Sequence, residues 1–264
     1  MTKTVLLALI LSGVTGALAG YLGSLMLTKR MALMGGALGH LTLPGIALAL
    51  LYDFDVSLGA LVFLGLGVSV IWYLEQKTHL HLEALTAVVF STSLATAFLF
   101  LPRQEADIAL LGDVSHVTVF MVLATVTIAT GIFLTVRHIY SHTVLIGISP
   151  DLAASRGIDL RWHNTLYLLC VALTVALGVR IVGGLMTAAL LAVPACTARN
   201  VSWNLKQYAY FSMAAGGLAS VLGVLGYVAT GLPPGPLIVI ASGLLFLASV
   251  YTKVRFGKVL SSES

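Results

Sequence analysis

Charge is scarce in this chain. Asp, Glu, Lys and Arg together supply 9% of its 264 residues, against roughly a quarter in an average soluble domain. Beside a 59% hydrophobic content, that deficit excludes a water-soluble core. Cysteine is almost missing as well. Cys170 and Cys196 both sit inside apolar runs, which argues against a disulfide framework or a paired-cysteine metal site and reads as packing. Catalytic signatures are missing altogether: there is no Gly-rich phosphate loop ending in Gly-Lys-Ser/Thr, no His-Glu metalloprotease pattern and no nucleophile elbow. The net charge of +4 does not imply nucleic acid, because the basic residues flank apolar runs and form no stripe interleaved with aromatics.

What the chain has in abundance is uncharged runs of about 20 residues, the length a helix needs to cross hydrocarbon. They extend from Val5 to Leu27, Met31 to Tyr52, Val56 to Leu74, Ala84 to Leu101, Val117 to Val136, Thr165 to Val179, Ile181 to Ala198, Tyr208 to Thr230 and Pro236 to Tyr251. The first contains Ala17-Leu18-Ala19, which resembles a signal-peptide cleavage site, but the run continues past it and reads as a span. The two runs flanking Arg180 are short, so one of them is a candidate for a partial or re-entrant segment surrounded by protein. The expectation is an all-α, polytopic integral membrane protein with eight or nine transmembrane helices, forming a single domain over residues 1–264.

Lys and Arg are retained in cytoplasmic loops. In a nine-segment arrangement eleven of the fourteen fall on one side, leaving only Lys3, Arg103 and Arg180 opposite. That places the carboxyl terminus in the cytoplasm. Asp53, Asp55, Glu105, Asp107 and Asp113 then face outward, either as ordinary solvated loop charges or as an outer mouth that attracts cations.

The second run, MALMGGALGHLTLPGIALALLY, is the most informative. His40 is its one imidazole, and Pro44 follows four residues later among Gly35, Gly36, Gly39 and Gly45. Lipid offers ring nitrogens no partner, so a histidine at mid-membrane depth faces a bundle interior or an aqueous path. It serves there either as a functional group or as a hydrogen-bonding link between helices. Pro44 breaks the backbone ladder while the glycines admit close neighbours, predicting a kinked, centrally packed helix. Gly183 and Pro194 in VGGLMTAALLAVPACTAR suggest the same combination of tight packing and local break. Met186 and Cys196 in that segment read as apolar fillers and not as ligands.

Between the fifth and sixth runs, ISPDLAASRGIDL has the grammar of a small helix. Ser149 can cap it, Pro150 suits its first position, Asp151 complements the helix dipole and Gly157 can close it in the left-handed conformation. So short a helix needs tertiary support or a docking partner, and both a simple connector and a contact surface fit it. GLPPGP reads as a structural turn. His79 and His81 near Glu83, and His138 with His142 at helical i,i+4 spacing, lack completing ligands and read as membrane-edge histidines.

MGGALGHLTLPGIALA, LLGDVSHVT, ISPDLAASRGI, VGGLMTAALLAVPACTAR and LPPGPLIVIASGLLF occur together and in this order. In this the chain resembles the zinc, manganese and iron ABC-transporter permeases, over nearly its whole length. The resemblance implies a permease subunit of the bacterial inner membrane, itself no enzyme and holding no cofactor, that moves a divalent metal by alternating access. It implies a homodimer bound to cytoplasmic ATPase subunits and fed by an extracytoplasmic solute-binding protein. It also implies that the region of about residues 138–164 is the coupling element, with Ser149, Pro150, Asp151, Ala154 and Gly157 presented to the ATPase, and that His40 contacts the metal. In the family an aspartate precedes that histidine by one helical turn; here Gly36 stands in its place. Loss of a hard oxygen ligand favours zinc over manganese or iron. The rival readings are a permease for a metal chelate or a cobalamin-like compound, and a channel or secondary transporter without an ATPase. A haem protein would require facing histidine pairs at matched depth, and only His40 lies deep.

Overall fold

The computed structural model describes residues 2–29, 31–78, 82–100, 110–112, 114 and 117–261. The described residues form helices and no strand. In chain order these are α1 (Thr2–Thr28), α2 (Ala32–Leu41), α3 (Leu43–Tyr52), α4 (Val56–Lys77) and α5 (Leu82–Phe100), followed by α6 (Val119–Ile148), α7 (Pro150–Ser155), α8 (Leu160–Val201), α9 (Leu205–Thr230) and α10 (Pro234–Ser261). Helices are what hydrocarbon demands, because they satisfy every backbone N–H and C=O within one segment. Among the described residues six stretches are long and apolar enough to cross a membrane, and Ala37–Tyr52 and Ala84–Leu99 are shorter apolar helical stretches.

α1 occupies the centre. Leu11, Leu18, Ala19, Leu22, Leu25 and Met26 are buried along it, and it packs against α6, α8 and α9. A Cβ added at Gly16 would lie 2.5 Å from the Gly216 carbonyl oxygen, so α1 and α9 meet backbone to backbone. Such close approach is how helices associate where lipid removes the hydrophobic drive.

The second apolar run divides at Thr42. Pro44 has no N–H to continue the ladder, and the join is made by the Thr42 N–H donating to Gly39 O at 3.3 Å and the Ile46 N–H to Thr42 O at 3.0 Å. Thr42 keeps helical dihedrals (φ −76°, ψ −25°), so α2 and α3 tighten at their join without reversing.

α8 does reverse. Its 42 residues contain one non-helical position, Gly183, at φ 79° and ψ 162°. An added Cβ on Gly178 would meet the Thr187 side chain at 3.5 Å, although residues nine apart in a straight helix are separated by about 13.5 Å. Tyr167 before the turn reaches Leu22 of α1, while Leu191 and Ala195 after it pack at Gly23 and Leu27. The helix is therefore a hairpin of two arms, residues 160–182 and 184–201. Two segments were expected here, but with their division at Arg180. The break falls at Gly183 because a backbone with these dihedrals excludes side chains. Pro194 produces no non-helical backbone, contrary to the local break expected there.

One end of the bundle gathers Lys29, the α6–α8 connection and the start of α9, through contacts of Lys29 with Asn164 and Gly147 and of Tyr208 with Leu27. The opposite end gathers Asp55, residues 110–112 and the start of α10, through Arg180, Ile181 and Val182.

Candidate functional site

His40 lies one residue from the end of α2, between α5 and the pivot of α8. Its ring stacks at a tilt on Phe90 of α5, with centroids 4.8 Å apart. Its Nδ1 is buried and has no hydrogen-bond partner among the described residues. The neighbouring Gly39 lets the helix reach α8, because an added Cβ would stand 2.8 Å from Gly184 O, immediately after the turn. Two hydroxyls border this approach. Thr42 Oγ1 donates to Gly39 O, and Thr187 Oγ1 donates to Gly183 O at 2.6 Å. Both protons are committed to the backbone, which leaves oxygen lone pairs as acceptors. Gly36 is on α2 one turn before His40, so the two share a face.

The turn in α8 is itself seated in the opposite end. A Cβ on Gly183 would lie 2.1 Å from Leu110 O, and one on Gly112 2.3 Å from Ile181 O. Gly235 of α10 closes on Leu111 O and Val182 O in the same place. Residues 110–112, the α8 pivot and the start of α10 thus converge where His40 is approached from that end. Asp113, Ser115 and His116 of the same motif, and Arg103, Glu105 and Asp107, lie outside the described residues. Asp55, expected among the outward-facing charges, is paired with Arg180 at 3.1 Å.

Among the described residues no group of three His, Cys, Asp or Glu is placed to hold a metal ion. The arrangement can offer an ion one imidazole, with hydroxyls, carbonyls or water to complete its shell. Such a set suits transient contact better than storage.

The small helix forms as its residues dictate. Ser149 accepts from the Leu152 N–H, Pro150 takes the first turn and Asp151 lies in that turn. Gly157 N–H donates to Ala154 O at 2.9 Å and Ile158 N–H to Ala153 O at 3.1 Å, with Gly157 at φ 73°. That pair of bonds is a Schellman closure. Only Ala153 is buried; Pro150, Asp151, Leu152, Ala154, Ser155, Arg156 and Gly157 are exposed. The helix is held by one side and presents the rest.

Two features escaped sequence reasoning. Lys29 is not a solvated membrane-edge charge: its amine donates to Asn164 Oδ1 and lies 5.1 Å over the Tyr167 ring, and burial pushes its pKa down to about 8. The structure also pairs His142 with His163 of α8, with centroids 5.2 Å apart. No sequence spacing joins residues on different helices. His79 and His81 lie outside the described residues.

The model of the ABC 3 transport family matches residues 1–253. A manganese import system permease protein, ScaB of Streptococcus gordonii, is 28% identical over 252 residues, covering 92% of this chain and 89% of its own. The high-affinity zinc uptake system membrane protein ZnuB of Buchnera aphidicola is 26% identical over 247 residues, covering 90% and 93%. The solved structure of PsaBC from Streptococcus pneumoniae in complex with Fab superposes with a TM-score of 0.81 at 26% identity, covering 92% of this chain and 89% of that one.

Proposed function

This chain belongs to the ABC 3 transport family, and from that premise we propose that it is the membrane permease of an ATP-driven importer of a divalent transition metal. The observation that carries the reading is His40, whose buried Nδ1 has no partner among the described residues, inside an otherwise apolar, glycine-rich crossing. An unpaired polar atom in such a place has a cost that use as a ligand recovers. Relatives named for manganese import and for zinc uptake support the same class of cargo.

The proposed working unit is a homodimer of a single domain, residues 1–264, bound to separate ATPase subunits and fed by an extracytoplasmic solute-binding protein. It sits in the bacterial plasma membrane with its carboxyl terminus in the cytoplasm. Counting the short stretches and the hairpin, it crosses eight or nine times. Metal enters between residues 110–112 and the α8 pivot, is touched by His40, and leaves at the end where α7 docks on the ATPase through Ser149, Pro150, Asp151, Ala154 and Gly157. Gly36, Pro44 and Gly183 set the packing and bends along that route, and Pro194 contributes to packing alone. Zinc is favoured, because Gly36 supplies no carboxylate and imidazole suits zinc better than it suits harder manganese.

Uptake by the assembled transporter, with zinc, manganese and iron competing, tests this. His40→Ala should abolish or strongly reduce uptake at limiting metal while the chain still assembles. Undiminished uptake by that variant would remove His40 from the route, and failure to carry any transition metal would reject the function.

A further inference from the structure

We infer that His142 and His163 form a second, accessible site for a divalent transition metal, bridging the two helices on either side of α7. Three observations place the imidazoles for it. His142 is exposed on α6 and makes no hydrogen bond among the described residues, while His163 lies in the first turns of α8. The His163 Nδ1 donates to Asp159 O at 2.8 Å, because a carbonyl can only accept. That bond fixes the tautomer and leaves the Nε2 lone pair free, the arrangement in which a backbone carbonyl orients a metal-binding imidazole. The ring centroids are 5.2 Å apart and the planes 83° to one another. Two imidazoles on one tetrahedral zinc, with Zn–N of about 2.0–2.1 Å, have centroids about 5 Å apart. Their present separation therefore suits a shared ion after rotation of the rings alone.

The remaining coordination positions face solvent and take water, so binding is reversible. The Asp159 carboxylate, which accepts from the Trp162 N–H at the start of α8, adds negative charge at the same turn. Arg156 opposes it. Its exposed side chain lines, with His142, Ile148 and Ile158, a cleft of about 530 Å³ between α6 and the segment that follows α7.

An ion on this pair ties the end of α6 to the beginning of α8. Those are the two stems from which α7 is suspended, so the bound ion restrains α7. Resting on the coupling role proposed above for α7, the site is a brake by which metal on that side slows further turnover.

Zinc chloride titrated into the full-length chain in detergent tests the site without reference to transport. His142→Gln and His163→Gln should each weaken binding by about tenfold or more, while His138→Gln retains it. Copper(II) bound to the chain should show coupling to two imidazole nitrogens, reduced to one in either variant. Equal affinity in all variants, loss only with His40→Gln, or loss with His138→Gln but not His163→Gln would each overturn the bridging site. In the assembled transporter, zinc should slow ATP turnover in the wild type and not in His163→Gln. Zinc that binds the pair without slowing turnover would overturn the brake and leave the site standing. A transporter that carries no metal would reject the proposed function and leave the titration readable.

Discussion

The guanidinium of Arg180 donates to Oδ2 of Asp55 at 3.1 Å, joining the first arm of α8 to the start of α4. The other oxygen of the same carboxylate accepts from the N–H groups of Ser57 and Leu58 at 2.9 and 3.2 Å, so Asp55 caps α4 while it holds α8. A partly exposed ion pair such as this one contributes about 1 kcal/mol or less once solvent screening is counted, and an N-cap about 1 kcal/mol. Asp55→Asn, which keeps the cap acceptor, should cost less than about 1 kcal/mol. Asp55→Ala should cost about 1–2 kcal/mol, from cap and pair together. Thermal unfolding of the detergent-solubilised chain separates the two, and equal losses would show that the cap contributes nothing.

Gly183 and Gly157 both have positive φ, at 79° and 73°, yet they should respond differently to alanine. At Gly183 the new Cβ would meet Leu110 O at 2.1 Å, whereas nothing lies within 4 Å at Gly157. Gly183→Ala combines a glycine-only conformation with a backbone clash and should cost upwards of about 3 kcal/mol. Gly157→Ala carries only the dihedral penalty, about 1–2 kcal/mol. Yield of monodisperse protein and its melting temperature should fall sharply for the first and slightly for the second.

Lys29 should give the chain an unusual alkaline response. Burial holds its folded pKa at about 8, below the unfolded value of about 10.4. Between those limits the unfolded state binds more protons, so stability rises with pH, while below about pH 8 the cost of the buried charge is complete. Melting of the wild type minus melting of Lys29→Met should therefore increase from pH 8 to pH 9.5, in steps of about 2–4 °C for each kcal/mol. A difference independent of pH would mean that the amine is solvated.

Charge reversal at Asp151 addresses coupling. The carboxylate is exposed in the first turn of α7 and complements the helix dipole. Asp151→Lys should leave the fold intact, with a stability change within about 1 kcal/mol, and lower metal transported per ATP hydrolysed. A normal ratio in the purified assembly would remove this face of α7 from the proposed contact with the ATPase.

Local signals made much of this architecture legible. Apolar runs marked the six long apolar helices, Pro44 foretold the tightened join at Thr42, and the residues from Ser149 to Gly157 wrote both ends of α7, since each acts within a few positions of itself. The division of the hairpin was misplaced because charge was read as punctuation. Arg180 can stay helical when Asp55 answers it across 125 positions, and sequence offers no view of such a partner. His40 was visible because imidazole is rare in an apolar run, whereas its neighbours Phe90 and Gly184 belong to other helices. Lys29 looked like any membrane-edge lysine until Asn164 and Tyr167 closed around it.

The hairpin has a mechanical consequence. Residues 160–182 make a stiff rod about 34 Å long at 1.5 Å per residue. Its foot adjoins α7, and its far tip is a single glycine gripped by residues 110–112 and by Gly235. No slack loop separates that tip from the returning arm. A tilt imposed at the foot must therefore be expressed at the tip as a change in the grip itself, at the distant mouth of the bundle.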